Sequence, residues 1–234
     1  SDRTEVLVSI YLPQGSSIAV TNQTTQKIEK LLAAMPEVDT LSAYVGAGAP
    51  RFVISSIPEQ PDPAFAKRIA VTHSKKERDI VIDQLRQQIE QGAFPEARIR
   101  VTSLLYGPPV IWPVSFRVVG PEINELRRIA HQVREIMQAH PNMRDVNLEW
   151  DERAPTLHLE MDPDRLRLIG LTPRDIAQQL QFQLDGMPIT ELRQDIRTVE
   201  VRARGERGAG GQALLPDQIE IKTQDGRKVP LSQL

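Results

Sequence analysis

The chain has 234 residues, no cysteine, 29 basic and 31 acidic side chains, a net charge of −2, and 40% apolar but only 4% aromatic residues. Without cysteine there is no disulfide framework, zinc ribbon or thiol chemistry, and near-neutral charge argues against a nucleic-acid binder that lives on phosphate contacts. No window approaches the ~18 continuous apolar residues of a membrane span.

The first residues are Ser1-Asp2, with no signal peptide visible, so a processed chain or a piece of something longer is expected. Thr4 to Leu12 alternates, with Val6, Val8, Ile10 and Leu12 on one side, and predicts a half-buried strand. Pro13-Gln14-Gly15 ends it, Ser16 or Ser17 caps a helix carrying Ile28, Leu31, Leu32 and Met35, and Pro36 stops that helix. Val38 to Val45 reads as a second strand, Gly46 to Pro50 as a flexible loop and Phe52 to Ile57 as a short extended piece. Pro58, Pro61 and Pro63 then punctuate an exposed excursion. Arg68 to Thr72 is a strand, Ser74-Lys75-Lys76-Glu77 is a capping box, and Val81, Ile82, Leu85 and Ile89 are the buried stripe of its helix. Ala97 to Leu105 is the last strand of this unit. The order strand, helix, strand, strand, helix, strand predicts a ferredoxin-like layer of two helices on one antiparallel sheet.

A second unit follows Tyr106-Gly107-Pro108-Pro109. Val114 to Val119 is a predicted strand, Gly120-Pro121 opens a helix with the cleanest apolar stripe of the chain (Ile123, Leu126, Ile129, Ala130, Val133, Ile136, Met137), and Asp145 to Trp150 is a strand. This is half a copy of the first unit. From Ala154 the pattern changes: a strand over Thr156 to Met161, short helices capped at Asp162-Pro163 and Thr172-Pro173-Arg174-Asp175, breaks at Gly170 and Gly186, and a strand over Thr198 to Ala203. A glycine-rich loop over Gly205 to Gly211 leads to Ile219 to Lys222, which turns back at Asp225-Gly226 to pair with Lys228 to Leu231.

Chemistry-bearing patterns are scarce. His73, His131, His140 and His158 have no metal-ligand spacing, so no metal site is expected. Gly205, Gly208, Gly210 and Gly211 lack the lysine and helix start of a phosphate loop. No nucleophile-base pair is suggested, so no catalytic residue and no cofactor are expected. Met35 and Met137 read as packing residues, and the few aromatics do not gather into an RNA-stacking sheet. The unusual stretch is Tyr106 to Pro113, an apolar connector stiffened by proline, which either lines a ligand cleft or packs two units together.

Three groups of residues carry a resemblance. Gly107-Pro108-Pro109-Val110 with Pro113-Val114-Ser115-Phe116-Arg117-Val118 and Gly120-Pro121 resembles the porter region of resistance-nodulation-division (RND) efflux permeases, the AcrB-like, acriflavin-resistance family. So does Leu157-x-Leu-x-Met-Asp162 to Arg165 with Gly170-Leu171-Thr172-Pro173-x-Asp175-Ile176. Leu12-Pro13-x-Gly15 resembles the start of the same periplasmic segment, and Val229 to Leu234 its docking-domain end.

The resemblance implies an α+β chain in three parts: residues 1–107 a third porter subdomain (ferredoxin-like, βαββαβ), residues 108–152 the first half of a fourth (a partial βαβ unit), and residues 153–234 a docking domain. The sheet of Val114 to Val119 and Asp145 to Trp150 should then be incomplete. It implies the periplasmic portion of a bacterial inner-membrane pump in which absent membrane helices carry proton antiport. Its partners are a small-molecule efflux substrate, two further copies in a homotrimer, a periplasmic adaptor and an outer-membrane channel, with no nucleic acid.

Residue by residue, the resemblance places the switch loop at Gly46, Ala47, Gly48, Ala49 and Pro50, without the phenylalanines of drug pumps. It places the substrate cleft at Val101, Ser103, Leu105 and Tyr106, facing Asn147 and Glu149, with Trp112 at the mouth. The five methionines are spread along the chain, which favours organic cargo over metal. The alternatives are a soluble ferredoxin-like ligand-binding or regulatory protein, which needs a complete second fold, and an enzyme, which lacks a nucleophile and base.

Overall fold

The computed structural model describes residues 3–51, 57–104, 112–150, 153–205 and 215–234. They fall into two compact units, Ser1–Thr156 and Leu157–Leu234. The first begins β1 (Glu5–Tyr11), α1 (Ile18–Ala33), β2 (Val38–Val45), β3 (Phe65–Thr72), α2 (Lys75–Glu90) and β4 (Arg98–Ser103). The four strands form one antiparallel sheet in the order β2-β3-β1-β4, which is the ferredoxin-like topology the pattern predicts.

Alternation in β1 explains the layer. Val6, Val8 and Ile10 are fully buried and pair across to Ser103, Val101 and Ile99 of β4. Ile28 and Leu32 of α1 and Val81, Ile82 and Leu85 of α2 close over that face. The Ser17 and Ser74 hydroxyls cap the two helices by accepting from the Val20 and Glu77 N–H groups. Only half of the predicted box at Ser74 forms among the described residues. Arg68 on β3 carries a charge into the layer: it is 3% exposed, donates to the Thr25 carbonyl at 3.2 Å and pairs with Glu29 on α1. The Phe52 to Ile57 piece lies outside the described residues except for Ile57, which has no regular structure.

The remainder of this unit departs from expectation. Its helix, α3 (Ile123–Gln138), forms over the predicted stripe but starts at Glu122, so Pro121 lies ahead of the cap rather than in the first turn. Neither Val114 to Val119 nor Asp145 to Trp150 forms a strand. An isolated extended segment has no neighbour to complete its backbone hydrogen bonds, and the described residues supply none. The stripe of α3 is correspondingly uncovered: none of its residues is buried, and Ile123 and Ile136 are 55% and 73% exposed.

Thr156 to Met161, where the second unit begins, is likewise irregular rather than a strand. Asp162 caps α4 (Pro163–Leu168) by accepting from the Asp164 and Arg165 N–H groups. The full box between Thr172 and Asp175 starts α5 (Pro173–Leu184). Gly170 and Gly186 follow the two helices at φ of 69° and 80°, as chain breaks. Leu166, Leu171, Ile176, Ile219, Ile221, Leu231 and Leu234 make the core.

The hairpin of β7 (Glu220–Lys222) and β8 (Lys228–Pro230) turns at Gly226 as predicted. The other edge of β7 meets α5. Gln179 both donates to the Lys222 carbonyl and accepts its N–H, at 2.8 and 2.7 Å, and Gln183 donates to the Glu220 carbonyl at 2.8 Å. A second hairpin, β5 (Met187–Gln194) with β6 (Arg197–Ala203), contains the predicted strand at Thr198 and an unpredicted partner. Its Ile189, Leu192 and Ile196 are exposed. Of the glycine-rich loop only Gly205 lies among the described residues.

The burial pattern sets a contrast in stability. Ile10→Ala, in the sealed layer, should lower the unfolding free energy by about 2–5 kcal/mol in denaturant titration, whereas Ile136→Ala on the open stripe should change it by no more than about 0.5 kcal/mol.

Candidate substrate cleft

The period-two geometry of β4 decides which side chains reach the cleft. Ile99 and Val101 point under the helices, so Arg100 and Thr102 occupy the opposite face. On that side a cavity of about 670 Å³ opens within the first unit, a size suited to a drug-sized molecule. Leu126, Ala130, Val133 and Met137 of α3 form its apolar wall, flanked along the helix by Arg127 and Arg134. Residues 112–118 and 142–150 supply further walls, and Arg86 of α2 joins them.

Several contacts hold this lining in place. The Arg100 guanidinium lies 4.1 Å from the centre of the Trp112 ring, and Arg127 stacks over Trp150 at 5.1 Å. Arg86 donates to the Val101 carbonyl on the open edge of β4 at 2.9 Å. Gln138 at the end of α3 donates to the Val146 carbonyl at 3.4 Å.

Of the residues assigned to the cleft from sequence, Trp112, Asn147 and Glu149 line this cavity. Val101 does not: it is 2% exposed in the helix-covered core, because Val8 and Val101 pair on the same face. Ser103 shares the face of Val101 by register and is half-buried. Leu105 and Tyr106 lie outside the described residues. The lining that sequence reading missed includes six arginines, and for Arg100 the signal was available: apolar Ile99 and Val101 leave Arg100 and Thr102 to the other side.

The Gly46–Pro50 loop is more constrained than its composition suggests. The Gly46 N–H donates to the Phe65 carbonyl at 2.8 Å, its carbonyl accepts from Asp62 at 3.0 Å, and Ala49 is buried. At Gly46, φ is 79°, and a Cβ would sit 2.7 Å from Ile18 Cδ1 of α1. At Gly48 a Cβ would meet the Glu59 backbone nitrogen at 2.6 Å.

A second cavity, about 740 Å³, lies in the second unit between α5 and the β7–β8 hairpin, where Leu171, Phe182 and Met187 share the lining with Asp175, Gln179, Gln183 and Glu220. The Thr172 hydroxyl and N–H both donate to the Asp175 carboxylate and hold its pKa below the ordinary aspartate value. Among the described residues no three His, Asp or Glu side chains gather as a metal site. His73 approaches Asp39 at 4.0 Å in an exposed pair.

Two outcomes are expected from these contacts. Gly48→Ala must displace the Glu59 backbone and should destabilise the first unit by about 1–3 kcal/mol in thermal melts. The depressed pKa of Asp175 means that its stabilisation is complete above the unfolded value of about 3.9 and is lost as pH falls through the lower folded value. Thr172→Ala should flatten that acid limb in pH-dependent unfolding of the second unit.

The model of the AcrB/AcrD/AcrF family matches residues 1–234. The swarming motility protein SwrC of Bacillus subtilis is 21% identical over 244 residues, covering 100% of this chain and 22% of that protein. The nickel and cobalt resistance protein CnrA of Cupriavidus metallidurans is 22% identical over 249 residues, covering 97% and 22%. Two crystal forms of a heavy metal efflux pump superpose with a TM-score of 0.68 at 17% identity, over 100% and 99% of this chain and 25% of the pump chain in each. The chain therefore spans about a fifth of the length of these curated relatives (22%). With the family model matched from end to end and the ferredoxin-like sheet in place, this chain belongs to the AcrB/AcrD/AcrF family.

Proposed function

We propose that the chain serves as the periplasmic porter and docking portion of a proton-coupled RND exporter of small organic compounds. The observation that carries this reading is the cavity beside β4 and α3, which combines the Leu126, Ala130 and Val133 wall with Trp112 and polar Asn147 and Glu149. Residues 1–107 act as the third porter subdomain, 108–152 as the first half of the fourth, and 153–234 as the docking domain facing an adaptor and an outer-membrane channel. The pump is a homotrimer of the bacterial inner membrane. No helix among the described residues is long and apolar enough to cross a membrane, so proton movement belongs to other parts of the exporter. The role of this portion is to admit cargo at the Trp112 side and hold it against α3, with the Gly46–Pro50 loop acting as the switch.

A second reading takes metal cations as the cargo. Met137 and Met143 line the same cavity, and the relatives include a nickel and cobalt resistance protein. Fluorescence titration of the purified chain with N-phenyl-1-naphthylamine, a neutral aromatic probe, separates the two. Binding in the micromolar range, weakened about tenfold by Trp112→Ala and abolished by Ala130→Trp, supports organic cargo. Calorimetric binding of Ni²⁺ that is lost in Met137→Leu, with no binding of the probe, supports metal cargo and overturns the first reading.

A further inference from the structure

The cavity of the second unit takes one wall from a single face of α5. Asp175, Gln178, Gln179, Phe182 and Gln183 stand at helical spacing and line the space of about 740 Å³ together with the β7–β8 hairpin. The core of the unit is served by Ile176 and Leu180 on the same helix. The wall is held in one shape. Gln179 and Gln183 are fixed by the main chain of β7. The Gly205 N–H donates to the Phe182 carbonyl at 3.2 Å, and a Cβ at Gly205 would lie 3.2 Å from Gln183 Cα, so glycine lets the chain beyond β6 close on the helix. A ligand that meets a wall already set loses less to ordering.

The groove is polar and close to neutral. Asp175 and Glu220 are matched by Lys222 and Lys228, and Lys228 pairs with Glu220 at 3.0 Å. Hydrogen-bonding capacity remains after the internal bonds are made. Thr172 donates only to Oδ2 of Asp175, and Oδ1 has no partner among the described residues. Gln183 uses its amide N–H on the Glu220 carbonyl and keeps its own Oε1. The Gln178 amide is exposed and has no partner among the described residues. Beside these acceptors and donors the Phe182 ring is 38% exposed.

This chemistry discriminates between ligand classes. Balanced charge gives no net attraction to an ion of either sign. A peptide added as a strand finds the edge of β7 occupied by Gln179 and Gln183. A purely apolar ligand would cover Asp175 Oδ1 and the amides without bonding them. A sugar meets each demand: it is neutral, carries dense hydroxyls, and offers a C–H face to the negative face of an aromatic ring. We infer that the groove binds a neutral oligosaccharide. One ring rests on Phe182, its hydroxyls donate to Asp175 Oδ1 and to the Gln183 carbonyl, and the Gln178 amide donates to a further oxygen. The bonds to the carboxylate are charge-assisted and are the strongest of these. Every residue involved belongs to the second unit, so the inference does not rest on the cleft reading.

The test titrates the purified chain with two neutral trisaccharides, maltotriose and N,N′,N″-triacetylchitotriose, and with the neutral peptide N-acetyl-tetra-alanine amide. Calorimetry gives the affinity, and saturation-transfer NMR detects weak binding. At least one trisaccharide should bind, and the difference between the two shows whether hydroxyls suffice or acetamido groups are needed. Phe182→Ala should weaken that binding about tenfold, and Gln178→Ala, at an exposed site, about threefold. Raising the salt to ~0.5 M should leave the affinity unchanged, because no ion pair forms with the sugar. Leu168→Ala, exposed in the same unit and outside the groove, should bind as the unaltered chain does. Far-ultraviolet circular dichroism checks that each variant is folded. If neither trisaccharide binds, the inference is overturned. It also falls if Phe182→Ala and Gln178→Ala both bind as the unaltered chain does, or if the peptide binds more tightly than both sugars.

Discussion

The alternation of β1 is the constraint on which the first unit rests. Val6, Val8 and Ile10 face the helices, and β1 lies between β3 and β4, so its register is imposed on both neighbours. A slip of one residue would expose these three side chains and carry Ser9 and Tyr11 into the core. The register that seals the core is also the one that sends Arg100 and Thr102 to the cavity side. The lining of the cavity at β4 is therefore a by-product of packing on the other face of the same sheet. Arg68 shows the opposite solution: a charge on the sealed face, tolerated because Thr25 and Glu29 meet it there.

The core of the first unit was legible in sequence because its signals are local. Alternation marks strands, Ser17 and Ser74 mark helix starts, and the stripe on α2 marks its buried side. The cavity lining was legible only in part. Trp112, Asn147 and Glu149, named by resemblance, line the cavity, whereas Val101 lies under the helices, because in a period-two strand neighbouring residues face opposite sides. Val114 to Val119, Asp145 to Trp150 and Thr156 to Met161 have strand-like composition without strand pairing, since composition reports a preference and pairing needs a neighbour. The opposite error occurred at β5: Pro188 and the register shift beside it interrupt the alternation, and Asp195 makes the turn at φ of 53° without the usual Asn-Gly signal.

Helix α5 treats the small β7–β8 sheet in a way the pattern of its apolar residues does not announce. Ile176 faces the core, while Gln179 and Gln183, four residues apart, reach the backbone of β7 and take the place of a third strand. Amide side chains can do this because each offers both a donor and an acceptor. The edge is thereby closed to strand addition. The β5–β6 hairpin, by contrast, presents Leu192 and Val199 opposite one another and exposed. One edge of this unit is blunted and one hairpin is left apolar.

The close approach of Gly46 to Ile18 ties the loop to the first turn of α1. Phe65 and Asp62 hold the same glycine from the other side through its backbone. A loop clamped between a helix start and a strand start cannot travel alone. Displacing residues 46–50 means breaking the main-chain hydrogen bonds of Gly46 and Gly48 and moving Gly46 against Ile18, so the loop is anchored to the layer rather than hung from it.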